Sequence, residues 1–292
     1  MTASPGSPGI DETTTAWAGR RRLFRELHAE GCFVIPNPWD TGSARLLARL
    51  GFRALATTSA GFAWSLGRRD NHVSLEGALA HMSAMVRAVD VPVSADFEGG
   101  FAVEPLGVAA NVAAATGTGI AGISVEDSTG DDAHPLFDFA LAVERVRAAR
   151  RAIDESGSGV VLTARSEGFV VGRPDLRETV RRLTAYAAVG ADCLYAPGIR
   201  TRDEIAAVVG AVAPRPVNVL AGSDFTTVAE LAELGVRRIS VGGALARSAW
   251  GGFMRAARLL AEHGKFDEFA NAASGRELNA FFDADLKTRT SR

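Results

Sequence analysis

The chain has 292 residues, 47% apolar and 23% charged, with a formal net charge of −2. That size and apolar content allow one large core, and a near-neutral charge without a long basic block gives no electrostatic footing for nucleic acid or an anionic membrane surface. No stretch of about 18 uninterrupted apolar residues is present, so a spanning helix is not expected. Two cysteines, Cys32 and Cys193, are too few for a disulfide framework and read as small buried hydrophobes.

Residues 1–15, rich in Ser, Thr, Gly and Pro and lacking the apolar run of a secretory signal, read as a flexible tail, with the cytoplasm as the expected location. From there short β-branched or apolar runs alternate with helical segments. Strands are predicted at Cys32–Pro36, Ala54–Thr58, Val91–Ala95, Ile120–Val125, Val160–Ala164, Cys193–Ala196, Val217–Leu220 and Ile239–Val241. Between them, Ser43–Leu50 places Leu46, Leu47 and Leu50 on one helical face. Ala140–Ile153 gathers Val143, Val146, Ala149 and Ile153, with Glu144, Arg147 and Arg151 outside. Gly51, Gly190 and Gly235 each stand where a helix ends before a strand, a place that calls for a left-handed cap. Ala249–Glu262 reads as the closing helix and Phe266–Leu286 as further helix, with 287–292 a tail. Eight strand–helix units predict a single α/β domain over 16–286, a (β/α)8 TIM barrel with added C-terminal helices. A doubly wound open sheet is the alternative, without a G-x-G-x-x-G after the first strand to support it.

Barrels of this kind carry their active sites at the C-terminal ends of the strands. The residues found there are Asn37, Trp39 and Asp40 after the first strand, and Thr58, Ser59 and Gly61, with Asp70 further on, after the second. Asp96 and Glu98 follow the third, Glu126 and Asp127 the fourth, Arg165 and Glu167 the fifth. Asn218 marks the seventh, Gly242 and Gly243 the eighth. Any one acidic residue in such a place reads equally well as the N-cap of the next helix. Several converging carboxylates repel one another, and a hard divalent cation, Mg2+ or Mn2+, relieves that repulsion. The five histidines are scattered; His72, His81 and His263 read as surface or helix positions, and no His or Cys cluster suggests zinc. Arg165 offers a planar fork suited to a substrate carboxylate, although pairing with Glu167 or Asp96 explains it too. Trp39 reads either as pocket lining or as packing.

The runs Val-Ser-Ala-Asp-Phe-Glu-Gly-Gly (93–100), Gly-Ile-Ser-Val-Glu-Asp-Ser (122–128) and Thr-Ala-Arg-Ser-Glu (163–167) resemble the isocitrate lyase and phosphoenolpyruvate mutase superfamily. Gly-Ala-Asp-Cys-Leu-Tyr-Ala-Pro-Gly (190–198) and Gly-Val-Arg-Arg-Ile-Ser-Val-Gly-Gly-Ala (235–244) do the same. The likeness runs in order from about Phe24 to about Gly264. It implies a barrel whose C-terminal helix is often exchanged between subunits of a dimer or tetramer. It implies a Mg2+ held by Asp96 with Glu98 and Glu126 around it, Asp70 near the metal or substrate, Thr58, Ser59 and Gly61 on the substrate carboxylate, and Arg165 in contact with the substrate. Trp39 and Asn218 complete the expected substrate-binding set, and Arg165, Glu126, Glu98 and Asp70 the expected catalytic one.

One departure narrows the chemistry. The lyases that cleave isocitrate or methylisocitrate carry a Lys-Lys-Cys-Gly-His loop, whereas residues 127–135 read Asp-Ser-Thr-Gly-Asp-Asp-Ala-His-Pro, without Cys or Lys. The mutase gating loop is not recognisable either. The expected activity is therefore metal-assisted C–C cleavage or decarboxylation of a small, oxaloacetate-like 2-oxo acid through the enolate of pyruvate. His134 is a candidate acid or base, and selectivity is expected from 127–139, Trp64 and Arg68. The rival readings are P–C bond chemistry on a phosphonopyruvate-type substrate and a non-catalytic ligand-binding barrel. The expected partners are a small 2-oxo acid and further copies of the chain, with Met254–Leu260 and Phe281–Phe282 as candidate subunit contacts.

Overall fold

A computed structural model describes residues 12–290. Eight strands form the barrel: β1 (Phe33–Ile35), β2 (Leu55–Ala56), β3 (Val93–Asp96), β4 (Gly122–Glu126), β5 (Val161–Arg165), β6 (Cys193–Tyr195), β7 (Val217–Leu220) and β8 (Arg238–Ser240). The helices are α1 (Glu12–Ala29), α2 (Thr41–Arg49), α3 (Ser59–Ser65), α4 (Leu75–Ala88), α5 (Pro105–Thr116), α6 (Phe139–Glu155), α7 (Leu176–Ala188), α8 (Arg202–Val212), α9 (Val228–Glu233), α10 (Ala244–His263) and α11 (Gly275–Thr290).

All strand pairs are parallel, in the order β1-β8-β7-β6-β5-β4-β3-β2. The remaining seam, β1 against β2, is stitched where the Ala56 N–H donates to the Pro36 carbonyl at 3.1 Å and Asn37 Nδ2 donates to the Thr57 carbonyl at 3.0 Å. Neighbours in the sheet are thus neighbours in sequence, which rules out the doubly wound alternative. Each predicted strand is present within a residue or two of its expected ends. Gly51, Gly190 and Gly235 have φ of 92°, 103° and 84°, the left-handed caps the sequence called for.

The alternation of side chains along each strand sorts them into two environments. Ile123, Leu162, Leu194, Val219 and Ile239 face the helices and pack with residues such as Val112, Val146, Ile153, Leu183 and Val208. Ser94, Ser124, Thr163, Asn218, Arg238 and Ser240 are buried polar residues of the same strands. The barrel interior is therefore polar in its middle and upper layers, above an apolar layer that includes Phe33, Ile35 and Val161. At its N-terminal end α1 lays Phe24 and Leu27 against Phe33, Ile35, Ala121 and Val161.

Both termini differ from expectation. Glu12–Thr15, assigned by composition to the tail, belong to α1, and residues 1–11 lie outside the described part. The closing helix starts at Ala244, ahead of Ala249, and a 3-10 turn at Asp267–Asn271 separates it from α11. Lys287–Thr290, expected in the tail, extend α11, because Arg49 Nη1 donates to Thr288 Oγ1 at 3.0 Å and Arg289 donates to the carbonyls of Ala88 and Arg87. Cys193 is buried and Cys32 half-buried, both as free thiols. Among the described residues no helix is long and apolar enough to cross a membrane.

Candidate active site

The last residues of β3, β4 and β5 are Asp96, Glu126 and Arg165, and the pairing of β4 with β5 sets Glu126 directly beside Arg165. The Arg165 guanidinium is the hub. Its Nη1 donates to Asp96 Oδ1 at 2.6 Å, Nη2 meets Glu126 Oε2 at 3.0 Å, and Nε donates to Glu167 Oε1 at 2.8 Å. The Tyr195 ring lies 5.2 Å from its centre. Asp96 is held from the other side, with Oδ2 accepting from the Ser59 N–H at 3.0 Å and the Ser59 hydroxyl at 2.8 Å. Thr58 caps the start of α3, which fixes Ser59 in that position.

One cation faces an excess of carboxylates, and burial together with their mutual repulsion pushes the pKa values of several of them upward. Glu98, whose backbone φ is +47°, has its carboxyl pushed up to about 8 by burial and then by Asp96, Glu126 and Asp70. Burial raises Glu126 although Arg165 pulls the other way, and Ser128 donates to its Oε1 at 2.7 Å. Desolvation and then Asp96 raise Asp70. Among the described residues no three carboxylate, imidazole or thiol side chains are gathered so as to hold a metal ion by themselves. Arg165 stands among the carboxylates instead.

These groups border a cavity of about 260 Å³ that runs from the barrel mouth into its interior. Of the residues singled out in the sequence, Thr58, Ser59, Asp70, Asp96 and Arg165 line it. Glu98 and Glu126 line a second space, of about 440 Å³, together with residues of the loops after β3 and β4. Three expected substrate residues do not reach the main cavity. Trp39 borders a separate hollow with Ser65, Ala249, Trp250 and Phe253. Gly61 is buried in α3, its N–H donating to Thr58 Oγ1 at 3.3 Å, and a Cβ there would lie 2.7 Å from Thr58 and 2.9 Å from Trp39. Asn218 lies wholly inside the barrel, donating to Ser240 Oγ and accepting from Arg238 Nε, each at 2.9 Å.

Other mouth residues serve the scaffold. Asp40 caps α2, and Asn37 Oδ1 accepts from the N–H groups of Val241 and Gly242 at 2.9 Å. Asp127 points into the barrel wall, accepting from Tyr186 at 2.7 Å, Arg182 at 3.1 Å and the Glu167 N–H at 2.8 Å. The His134 side chain is solvent-exposed, pairs among the described residues only with Asp131, at 3.4 Å, and does not line the cavity. Trp64 packs over Gly243, and Arg68 is exposed with one long contact to the His72 carbonyl.

Sequence reasoning passed over Tyr195, Arg238 and Arg247, all of which line the cavity, and Arg145, which donates to the carbonyls of Gly99, Ala102 and Val103 and so pins the loop after β3. Arg145 lies next to Val146 and one turn before Ala149, on the buried face of α6, and that position was the available signal.

The chain is similar to several known proteins. A family model described as phosphoenolpyruvate phosphomutase matches residues 24–261. A solved structure of a putative lyase/mutase from Burkholderia cenocepacia superposes with a TM-score of 0.89 at 47% identity, covering 92% of this chain and 98% of that one. The oxaloacetate decarboxylase of Paraburkholderia xenovorans is 32% identical over 202 residues, 66% of each chain. A phosphonopyruvate hydrolase solved with oxalate and Mg2+ gives a TM-score of 0.80 at 25% identity, covering 93% of this chain and 97% of that one.

Proposed function

The chain belongs to the phosphoenolpyruvate phosphomutase family and is a carbon–carbon lyase of its superfamily, and on that premise we propose that it cleaves a bond at C3 of a small, oxaloacetate-like 2-oxo acid with the help of Mg2+ or Mn2+. The observation that carries this reading is the Arg165 fork closing on Asp96, Glu126 and Glu167 at the wall of the central cavity.

The donor set suits a hard divalent cation. Asp96, Glu98 and Glu126 supply only oxygen, and Glu98 is driven to about 8 by burial and neighbouring carboxylates, a cost that a cation removes. Since no three of these side chains are gathered closely enough to bind an ion by themselves, Asp96 would hold it directly and Glu98 and Glu126 largely through water, with Asp70 beside them. When bound, it supplies Lewis-acid stabilisation for negative charge on the 2-oxo oxygen.

The protein's own groups do the rest. Ser59 and Arg165 hold Asp96 in one orientation from opposite sides, so the acidic centre is set before substrate arrives. Arg165, facing the cavity, presents its charge to the substrate carboxylate and aligns the C3 bond. That bond breaks with its electron pair moving toward the 2-oxo oxygen. For decarboxylation the departing group is carbon dioxide, and the enolate then takes a proton at C3 to give pyruvate. Asp70 lines the cavity with its carboxyl raised, which suits it to deliver that proton. No loop acid is required, in keeping with the exposed position of His134.

Subunit association is part of the same reading. The helix α10 buries only Ala246 and exposes Phe253, Met254 and Leu260, a face that we assign to contact with a second copy in a dimer or tetramer.

The test is proton NMR of pyruvate methyl exchange in deuterated water, with and without Mg2+, on the wild type and Asp96→Ala, followed by turnover of oxaloacetate and phosphonopyruvate. Metal-dependent exchange abolished in the variant is the expected outcome. Absence of exchange in the metal-loaded wild type, or preferential turnover of phosphonopyruvate, would overturn the proposal.

A further inference from the structure

At the inner end of the central cavity lies a cation that the chemistry above leaves unused. Along β8, Ile239 packs against the helices while Arg238 and Ser240 line the cavity. Arg238 is 4% exposed. All of its hydrogen-bond partners are neutral. Nε donates to Asn218 Oδ1 at 2.9 Å, and Nη1 donates to Thr163 Oγ1 at 3.0 Å. Nη1 also lies 3.4 Å from His28 Nε2. His28 Nδ1 donates to the Phe24 carbonyl at 2.7 Å, and burial, then Arg238 itself, drives the ring down to about 3, so Nε2 carries a lone pair and the imidazole no charge.

Arg238 forms no ion pair with any carboxylate among the described residues, and its Nη2 makes no hydrogen bond among them. A guanidinium cannot shed its proton to escape burial, and a buried charge without a counter-charge is expensive. The cavity wall also carries the hydroxyls of Ser94, Ser124, Ser240 and Tyr195, beside apolar Ile35, Ala56 and Leu220 and with the carboxylates Asp70, Asp96 and Glu167 on the same lining. A permanent buried cation, neutral partners and hydroxyl donors in the wall make a receptor for an anion.

Its place identifies which anion. Arg238 bonds Thr163, two residues before Arg165 on β5, so it lies roughly 6.6 Å of strand rise deeper than the site at the mouth. Both levels border one continuous cavity. We propose that Arg238 is the receptor for the second carboxylate of a dicarboxylic substrate whose 2-oxo acid end lies at Asp96 and Arg165. This rests on the assignment of the mouth made above, and it adds that the carboxylate distal to the 2-oxo acid end is held at Arg238, at the inner end of the cavity. Pairing with a buried cation stabilises the charged ground state. Of the two routes open at the mouth, the receptor therefore favours C–C cleavage that leaves this carboxylate on a product over decarboxylation, which would lose it as carbon dioxide.

The test is calorimetric binding in the presence of Mg2+ of L-malate, of 2-hydroxybutyrate, in which a methyl replaces the distal carboxylate, and of oxalate, which is confined to the mouth. The wild type is expected to prefer malate over 2-hydroxybutyrate by at least tenfold. Arg238→Gln should abolish that preference while leaving oxalate affinity within about twofold. Arg238→Lys keeps a charge in the chamber, and should retain part of the preference if the glutamine variant fails to fold. A wild type without preference, or a glutamine variant that keeps it, overturns the proposal. Tight, Arg238-dependent chloride binding that malate does not displace would assign the receptor to an inorganic anion and also overturn it. Loss of oxalate binding in the wild type would instead count against the assignment of the mouth.

Discussion

Arg165 and Asp96 meet at 2.6 Å across the barrel mouth although they end strands that are not neighbours, β5 and β3. The strand between them contributes Glu126 to the same guanidinium. A single arginine thereby fixes the spacing of the acidic groups on which the proposed chemistry depends.

Removing that arginine should damage stability and activity through separate routes. Arg165→Met leaves Asp96, Glu126 and Glu167 without their shared cation, and loss of one partner of a buried pair costs about 3–5 kcal/mol. Urea denaturation of the metal-free protein should show that loss, and Mg2+ should restore part of it by replacing the missing charge. Arg165→Lys retains the charge but not the three-way fork, so it should keep stability better than methionine does, yet lose about a hundredfold or more in kcat/KM. A lysine variant with near-normal turnover would show that the fork is not needed.

Glu98 should make the metal-free protein less stable as the solution becomes more alkaline. Its folded-state carboxyl is raised to about 8 against an ordinary 4.5. Between those values the folded chain holds a proton that the unfolded chain has released, so its contribution is complete below about 4.5 and is lost as pH rises through 8. Glu98→Gln should flatten that slope. For the same reason, Mg2+ binding should release a proton near neutrality, detectable as a dependence of the binding heat on the ionisation enthalpy of the buffer. Equal slopes in the wild type and Glu98→Gln would remove Glu98 as the source.

The Asp127 network should behave as scaffold. Tyr186→Phe removes one donor from a carboxylate that is 3% exposed, at a cost of about 1–3 kcal/mol. The Arg182 contact and the Glu167 N–H remain, so oxalate affinity in the presence of Mg2+ should change by less than about twofold. A large loss of affinity with normal stability would instead place Asp127 in the site.

The barrel was legible in the sequence because β-branched runs bounded by glycine recur at regular spacing, and the acidic residues after β3 and β4 fell at strand ends where chemistry belongs. The interior was not legible. Ser124 between Ile123 and Val125, or Thr163 between Leu162 and Ala164, reads as an ordinary apolar strand, since period-two alternation does not say which face is the polar one. Arg238 stands just outside the predicted eighth strand; the strand in fact begins with it, and alternation with Ile239 turns it inward. Trp39, which reads either as pocket lining or as packing, and Gly61 both stay off the lining of the main cavity. Both lie near the mouth in sequence, but the capping of α3 by Thr58 buries Gly61, and the wall of α10 near Trp250 takes up Trp39.

That wall leads to the last prediction. The helix α10 is 20 residues long and buries one of them, Ala246. Trp250, Phe253, Met254 and Leu260 are all exposed, and their three- and four-residue spacing puts the first three on one stripe. Trp250 and Phe253 pack edge to face at 5.6 Å and, with Trp39, border an open hollow of about 230 Å³. An aromatic stripe with its own hollow is rarely left to water on a monomer, and a two-fold contact would bury it against its own copy. Light scattering coupled to size exclusion should therefore find the wild type as a dimer or tetramer. Phe253→Asp should shift it toward the monomer without loss of secondary structure, because Phe253 is 62% exposed and contributes little to the fold of a single chain. An unchanged mass would move the subunit contact away from α10, and the Phe281–Phe282 pair on α11 would then be the next face to substitute.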